Sequence, residues 1–144
     1  MLIINVSYTR PEYLAVIEAI LPYALTAKKA KKSIWEVRDP EVQASWLTRT
    51  VARAVASVLF LYKVNRVGEC KFTFSETGLL REAKDGQTQL TWSEVKRVFR
   101  LPTAFLFTKS SGAMPVPYSS MSAQQRATLE LLLSHVGHGV SDAA

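Results

Sequence analysis

The dominant spacing of apolar residues along this chain changes near Gly68. Before it the dominant period is that of helices; after it the period is that of strands. A strand comes first, over residues 2–8 (LIINVSY). Thr9 and Glu12 then stand at capping-box spacing, with Pro11 in a first turn that tolerates it, so a helix is expected to open there. Leu14, Ile17, Ile20 and Leu21 share one face of that helix. Pro22 is expected to bend or end it near its middle, because proline removes a donor and crowds the preceding turn. Asp39-Pro40-Glu41 reads as a second helix start: a cap, a proline and an acid at the positive end of the dipole. The stripe that follows includes Val42, Trp46, Leu47, Val51, Val55, Val58, Leu59 and Tyr62, while Arg49, Arg53 and Lys63 fall largely off it. This helix is expected to run to about Lys63, a length of about 35 Å at the usual rise per residue. Residues 65–68 (NRVG) should end it.

Past Gly68, CKFTFSE alternates, Thr77-Gly78 turns the chain and LLREAK is a second strand. Asp85-Gly86 is a tight-turn signal. TQLTW, VKRVFRL, AFLFTK and MPVPYS are four further strands, punctuated by Pro102 and Ser111-Gly112. Ser122 and Gln125 form another capping box and open a last helix carrying Leu129, Leu132, Leu133 and Val136. The pattern predicts an α+β fold: an N-terminal strand and two helices, then an antiparallel five- to six-strand meander closed by a C-terminal helix. The last helix and the long second helix are the available covers for the meander. One domain spanning 1–144 is expected, made of an N-terminal strand and helical layer (1–67), a sheet with its closing helix (68–137) and a frayed tail (138–144).

Composition narrows function mainly by exclusion. The net charge of +6 permits nucleic acid, anionic lipid or an acidic protein and selects none of them. The basic residues are spread over helix and sheet without a recognised motif, which disfavours nucleic acid. Cys70 is the single cysteine, so no intrachain disulfide forms, which fits a reducing compartment. No secretory leader pattern opens the sequence, and its longest apolar runs are too short for a bilayer. A cytoplasmic protein, or one held at the inner face of the membrane, is expected.

Four stretches resemble the YcxB-like protein family: INVSYTRPEYL, FTFSETGLLRE, LTWSEVKRVFR and MPVPYSSMSAQQRATLELL. They cover roughly residues 2–14 and 68–133. The resemblance implies a C-terminal module similar to bacterial pleckstrin-homology-like (PH-like) domains, a curved antiparallel sheet closed by a helix. Family members usually carry an apolar membrane hairpin between the first helix and the sheet. Here that place holds a charged, amphipathic stretch, which implies a variant without the transmembrane hairpin.

No catalytic constellation is apparent. Ser93 has no base near it in sequence, since the histidines are His135 and His138. Those two lack the cysteine or carboxylate company of a metal site, apart from Asp142. Trp92 reads as a core anchor, Ser93 as a turn residue, Glu94 as a solvated charge and Cys70 as an inert thiol. No glycine-rich phosphate loop and no cofactor motif is present, so neither an enzyme nor a cofactor is expected. Two features remain as candidate partner or lipid contacts. One is Lys28, Lys29, Lys31 and Lys32 with Trp35 close behind. The other is Arg97, which alternation puts on a face with Val95 and Phe99. The reading is a non-enzymatic protein-interaction module, in its specific form an immunity protein neutralising a bacterial toxin. The alternative is a peripheral membrane protein that binds anionic lipid through its basic amphipathic N-terminal region. The broad second-helix stripe is also compatible with a homodimer.

Overall fold

The computed structural model describes residues 1–138 and 140–142, leaving out the side chains of residues 65–67. Its elements run β1 (Leu2–Val6), α1 (Arg10–Ala30), a 3₁₀ turn (Ile34–Glu36), α2 (Trp46–Val67), β2 (Cys70–Phe74), β3 (Gly78–Ala83) and β4 (Gly86–Thr91). Then follow β5 (Arg97–Arg100), β6 (Ala104–Lys109), β7 (Gly112–Pro117), a second 3₁₀ turn (Tyr118–Ser120), α3 (Ala123–His135) and β8 (Val140–Asp142). The α+β class and the meander with its closing helix are present. The described residues divide the strands into two four-stranded sheets, ordered β1-β2-β3-β4 and β7-β6-β5-β8.

The main core lies between those sheets and under α3. Phe72 and Phe74 of the first sheet meet Phe105, Phe107 and Val98 of the second, and Leu129 and Leu133 of α3 close it. The second sheet is buried on its other face too. There Phe99, Leu101, Ala104 and Leu106 pack against Val16, Tyr23 and Ala27 of α1. Burial on both faces explains why β6 reads AFLF, a run rather than an alternation.

Four expectations need correction. The cover over the second sheet is α1, not the longer stripe-bearing helix; α2 packs on α1 instead. Pro22 does not end α1. Three of the helix's four buried residues, Tyr23, Thr26 and Ala27, lie beyond it, so their packing outweighs a proline cost of about 3 kcal/mol. Asp39 does not cap α2. The hydroxyl of buried Thr26 accepts the Val42 N–H at 3.1 Å and holds that segment out of a helix, and Ser45 caps instead, accepting from the Thr48 N–H at 3.2 Å. The tail is not frayed through Asp142, because Val140–Asp142 adds a parallel strand to β5. Arg100 pairs with Asp142 at 2.7 Å, and Arg97 donates to Ser141 at 3.1 Å. The rest of that expectation, at residues 139, 143 and 144, lies outside the described residues.

Tyr8 gives the fold an alkaline limit. Its hydroxyl donates to the Pro115 carbonyl at 2.6 Å. Burial pushes its pKa well above the ordinary tyrosine value; nearby Cys70 adds to this and Arg81 opposes it. The unfolded chain therefore loses this proton first, near pH about 10. Stability from Tyr8 is complete below that pH and is lost as pH rises from there toward the folded pKa, by at most about 1.4 kcal/mol per pH unit. In equilibrium urea unfolding between pH 9 and 11.5, the Tyr8→Phe variant should show a flatter decline than the parent. Equal slopes would mean that Tyr8 does not carry the effect. The decline should not vanish, because burial also raises the Tyr118 pKa.

Candidate functional site

The Trp92-Ser93-Glu94 step is where the chain passes from one sheet to the other. Trp92 is 7% exposed and its indole N–H donates to the Ser75 carbonyl at 2.8 Å, tying the corner to the β2–β3 turn. The Glu94 carboxylate accepts the Thr91 N–H at 2.8 Å, and the Glu94 N–H donates to the Thr91 carbonyl at 3.0 Å. Ser93 and Thr91 hydroxyls share a 2.9 Å bond. The ring of His138 lies beside the Trp92 indole, with Nε2 against the Trp92 carbonyl. The polar side chains of Thr91, Trp92, Ser93 and Glu94 thus all bond within the corner or to the neighbouring turn. Glu94 is exposed, as expected of a solvated turn charge, and it also caps the corner.

Arg97 is turned inward within the chain. Its guanidinium carbon sits 4.2 Å from the Phe99 ring centroid and 5.9 Å from that of Tyr23. It also donates to the Val37 carbonyl and to Ser141. Partial burial lowers its pKa. Arg97 therefore joins the loop after the first 3₁₀ turn, α1 and the C-terminal strand to β5, with its Nε–H and one Nη–H used inside the chain. Cys70 is buried among the main core residues, and burial raises its pKa, which keeps it a thiol.

The remaining features belong to the helical layer. Helices α1 and α2 are antiparallel: Arg10 donates to Ser57, Tyr13 meets Phe60 and Glu18 pairs with Arg53 at 2.8 Å. Lys28 and Lys29 fill the last turn of α1, Lys31 is its left-handed cap, and all four lysines of the cluster are exposed. Trp35 is half-buried in the following 3₁₀ turn. The antiparallel pairing brings this end of α1 to the end of α2 that starts with Trp46. The lysines and Trp35 are thus neighbours in the fold, and Arg97, bonded to the Val37 carbonyl, reaches the loop that follows Trp35.

Helix α2 bears the most apolar exposed stretch. Its charged side, with Arg53, turns toward α1, where Ala56 and Phe60 are buried. Its apolar side turns to solvent: Leu47, Val51, Val55, Val58, Leu59 and Leu61 are all exposed, Val58 at 68%. Ile17 of α1 joins Leu47, Val51, Val55 and Leu59 along a shallow apolar valley. Helix α2 contains no acidic residue over its 22 positions. The stripe was legible in the sequence; its outward direction was not. No helix among the described residues is long and apolar enough to cross a membrane.

Residues 74–133, less than half of the chain, match the sequence model of the YcxB-like protein family. The match runs from the end of β2 through α3, and therefore spans most of both sheets and the Trp92 corner but none of α1 or α2. No curated protein and no solved structure matches the chain.

Proposed function

Taking the YcxB-like segment at residues 74–133 as the frame that carries α1 and α2, we propose that this chain is a non-enzymatic docking module that lays α2 on an anionic membrane surface. The exposed apolar face of α2, on a helix with no acid, is the observation that carries this reading. An interfacial helix needs an apolar face to enter the headgroup boundary and a basic polar face to stay out of it. The solvent-facing valines and leucines supply the first, and Arg49, Arg53 and Lys63 the second. The exposed lysines at the Trp46 end add attraction for anionic headgroups, worth about 1 kcal/mol each near a charged surface. Helix α2 and the loop before it occupy the place, between the first helix and the sheet, where YcxB-like proteins usually carry a membrane hairpin, and α2 would lie on the bilayer without spanning it.

The test is co-sedimentation with vesicles of phosphatidylcholine containing 30 mol% phosphatidylglycerol, a composition chosen at about that level to give a negative surface. Binding is expected there, with little to pure phosphatidylcholine, and it should weaken as salt rises. The double variant Val55→Glu/Val58→Glu should lose about tenfold or more, since two buried side chains are worth roughly 3 kcal/mol. Both positions are exposed, so the far-ultraviolet circular dichroism should be unchanged.

A second reading keeps the module and changes the partner. The valley between α1 and α2 would then receive an apolar helix of another protein, such as a toxin that this chain neutralises. Absence of vesicle binding, with a stoichiometric protein recovered from the native lysate and lost with the same double variant, would replace the lipid reading with this one. A concentration-dependent dimer lost with that variant would point instead to a second copy.

A further inference from the structure

A cleft of about 390 Å³ opens where the helical layer meets the ends of the two β-hairpins. Its size falls within the range of sites that hold small molecules. One wall is aromatic: the rings of Tyr13 and Phe60 lie 5.7 Å apart, and Met114 and Pro115 of β7 help line the cleft. Three cations reach it from three separate elements, Lys63 from α2, Arg81 from β3 and Lys109 from β6. Asp85 is the acid on its lining, 3.6 Å from Arg81.

A solvated basic surface would have different features. The Arg81 side chain is only 17% exposed, so part of its hydration is already removed. Among the described residues, neither Lys63 nor Lys109 has a carboxylate within ion-pair distance. Lys63 instead lies 5.5 Å from the centroid of the Tyr13 ring. Three cations against one carboxylate leave two positive charges on the lining. A phosphate monoester near neutral pH carries a charge of roughly −1.5 to −2 and three acceptor oxygens. The aromatic wall offers stacking surface for the group that bears the phosphate.

We propose that this cleft binds a small organic phosphate monoester, its phosphate held by Lys63, Arg81 and Lys109 and its apolar body against Tyr13 and Phe60. The site uses the side of α2 that faces the protein, so it stands whether or not the outer side docks on lipid. The phosphate could come from a soluble metabolite or from a lipid whose headgroup is a bare phosphate; the chemistry recognised is the same.

Titration calorimetry with 1-naphthyl phosphate tests it, against inorganic phosphate and 1-naphthol as the two halves of the probe. The whole probe should bind roughly tenfold or more tighter than either half, because charge and stacking contribute together. Lys63→Met and Lys109→Met should each weaken it by roughly tenfold, as expected for loss of a charge-assisted contact. Lys28→Met, at the far end of α1, should leave it unchanged. Thermal unfolding checks that the variants fold. The comparison of whole probe with halves is made on the parent protein and does not depend on them. Equal, weak binding of all three compounds would overturn the proposal, as would binding indifferent to both lysine variants. Vesicles containing phosphatidic acid that displace the naphthyl phosphate would identify a lipid source; failure to displace it would identify a soluble one.

Discussion

Gly78→Ala should cost about 3–5 kcal/mol or prevent folding, in the class of effects tied to a named steric fault. The fault is not one of backbone conformation, because Gly78 does not occupy the left-handed region. It is one of space. A Cβ at Gly78 would lie 1.9 Å from the Leu90 carbonyl oxygen and 2.9 Å from both the Leu90 carbonyl carbon and the Thr91 Cα. All three are backbone atoms of β4, and Gly78 pairs with Thr91 in the β3–β4 register. No rotamer change relieves the contact. The strands must part at the end of β4, next to the corner that carries the chain into the second sheet. Folded domains are stable by only about 5–15 kcal/mol, so the loss is a large share of the total. Urea unfolding of the variant measures it. A loss below about 1 kcal/mol, which is ordinary for an unconstrained substitution, would mean the two strands do not approach so closely.

Phe107→Ala should be nearly as damaging, at about 3–5 kcal/mol. Phe107 is fully buried in the core between the sheets. Its ring centroid lies 5.4 Å from Phe74 on the first sheet and 6.5 Å from Phe105 on its own strand. Removing it empties the seam that joins the two sheets, and neither sheet can close the gap alone. Phe107→Leu keeps most of the volume and should cost far less, about 1–2 kcal/mol. The difference between the two variants, read from chemical unfolding midpoints, separates loss of volume from loss of aromatic contact. Similar small losses for both would place Phe107 outside the main core.

Much of this arrangement was legible in the residues, and the misses have definite causes. The change of period at Gly68, the turn residues and the caps at Thr9 and Ser122 correspond to the observed element order. The conflict at Arg97, a charge sharing a face with Phe99, came from a sheet buried on both sides. Alternation then gives no polar face, and an arginine can lie over an aromatic ring at the rim. Thr91-x-x-Glu94 has the spacing of the caps recognised at the helix starts, so the corner's bonding was within reach of the same rule. Pro22 was overruled by packing that only the tertiary fold supplies. The strand Val140–Asp142 has three residues, too few for an alternating pattern to register. Periodicity showed that α2 has an apolar face, but a period carries no information about what that face meets. The cleft was wholly out of reach, because Lys63, Arg81 and Lys109 converge only after three elements far apart in sequence are folded together.

The pairing of β1 with β2 also sets an order of events during synthesis. Leu2 is opposite Phe74, so β1 lacks its β2 partner until both helices have been translated. At about 5–20 residues per second, that interval is on the order of ten seconds. The surface of the second sheet on which α1 rests appears later still, with β5 and β6. For that time the α1–α2 pair emerges from the ribosome with two apolar sides uncovered: the one that will meet the sheet, and the one on α2 that the finished chain leaves open. The nascent chain is therefore at its most adhesive before the meander exists.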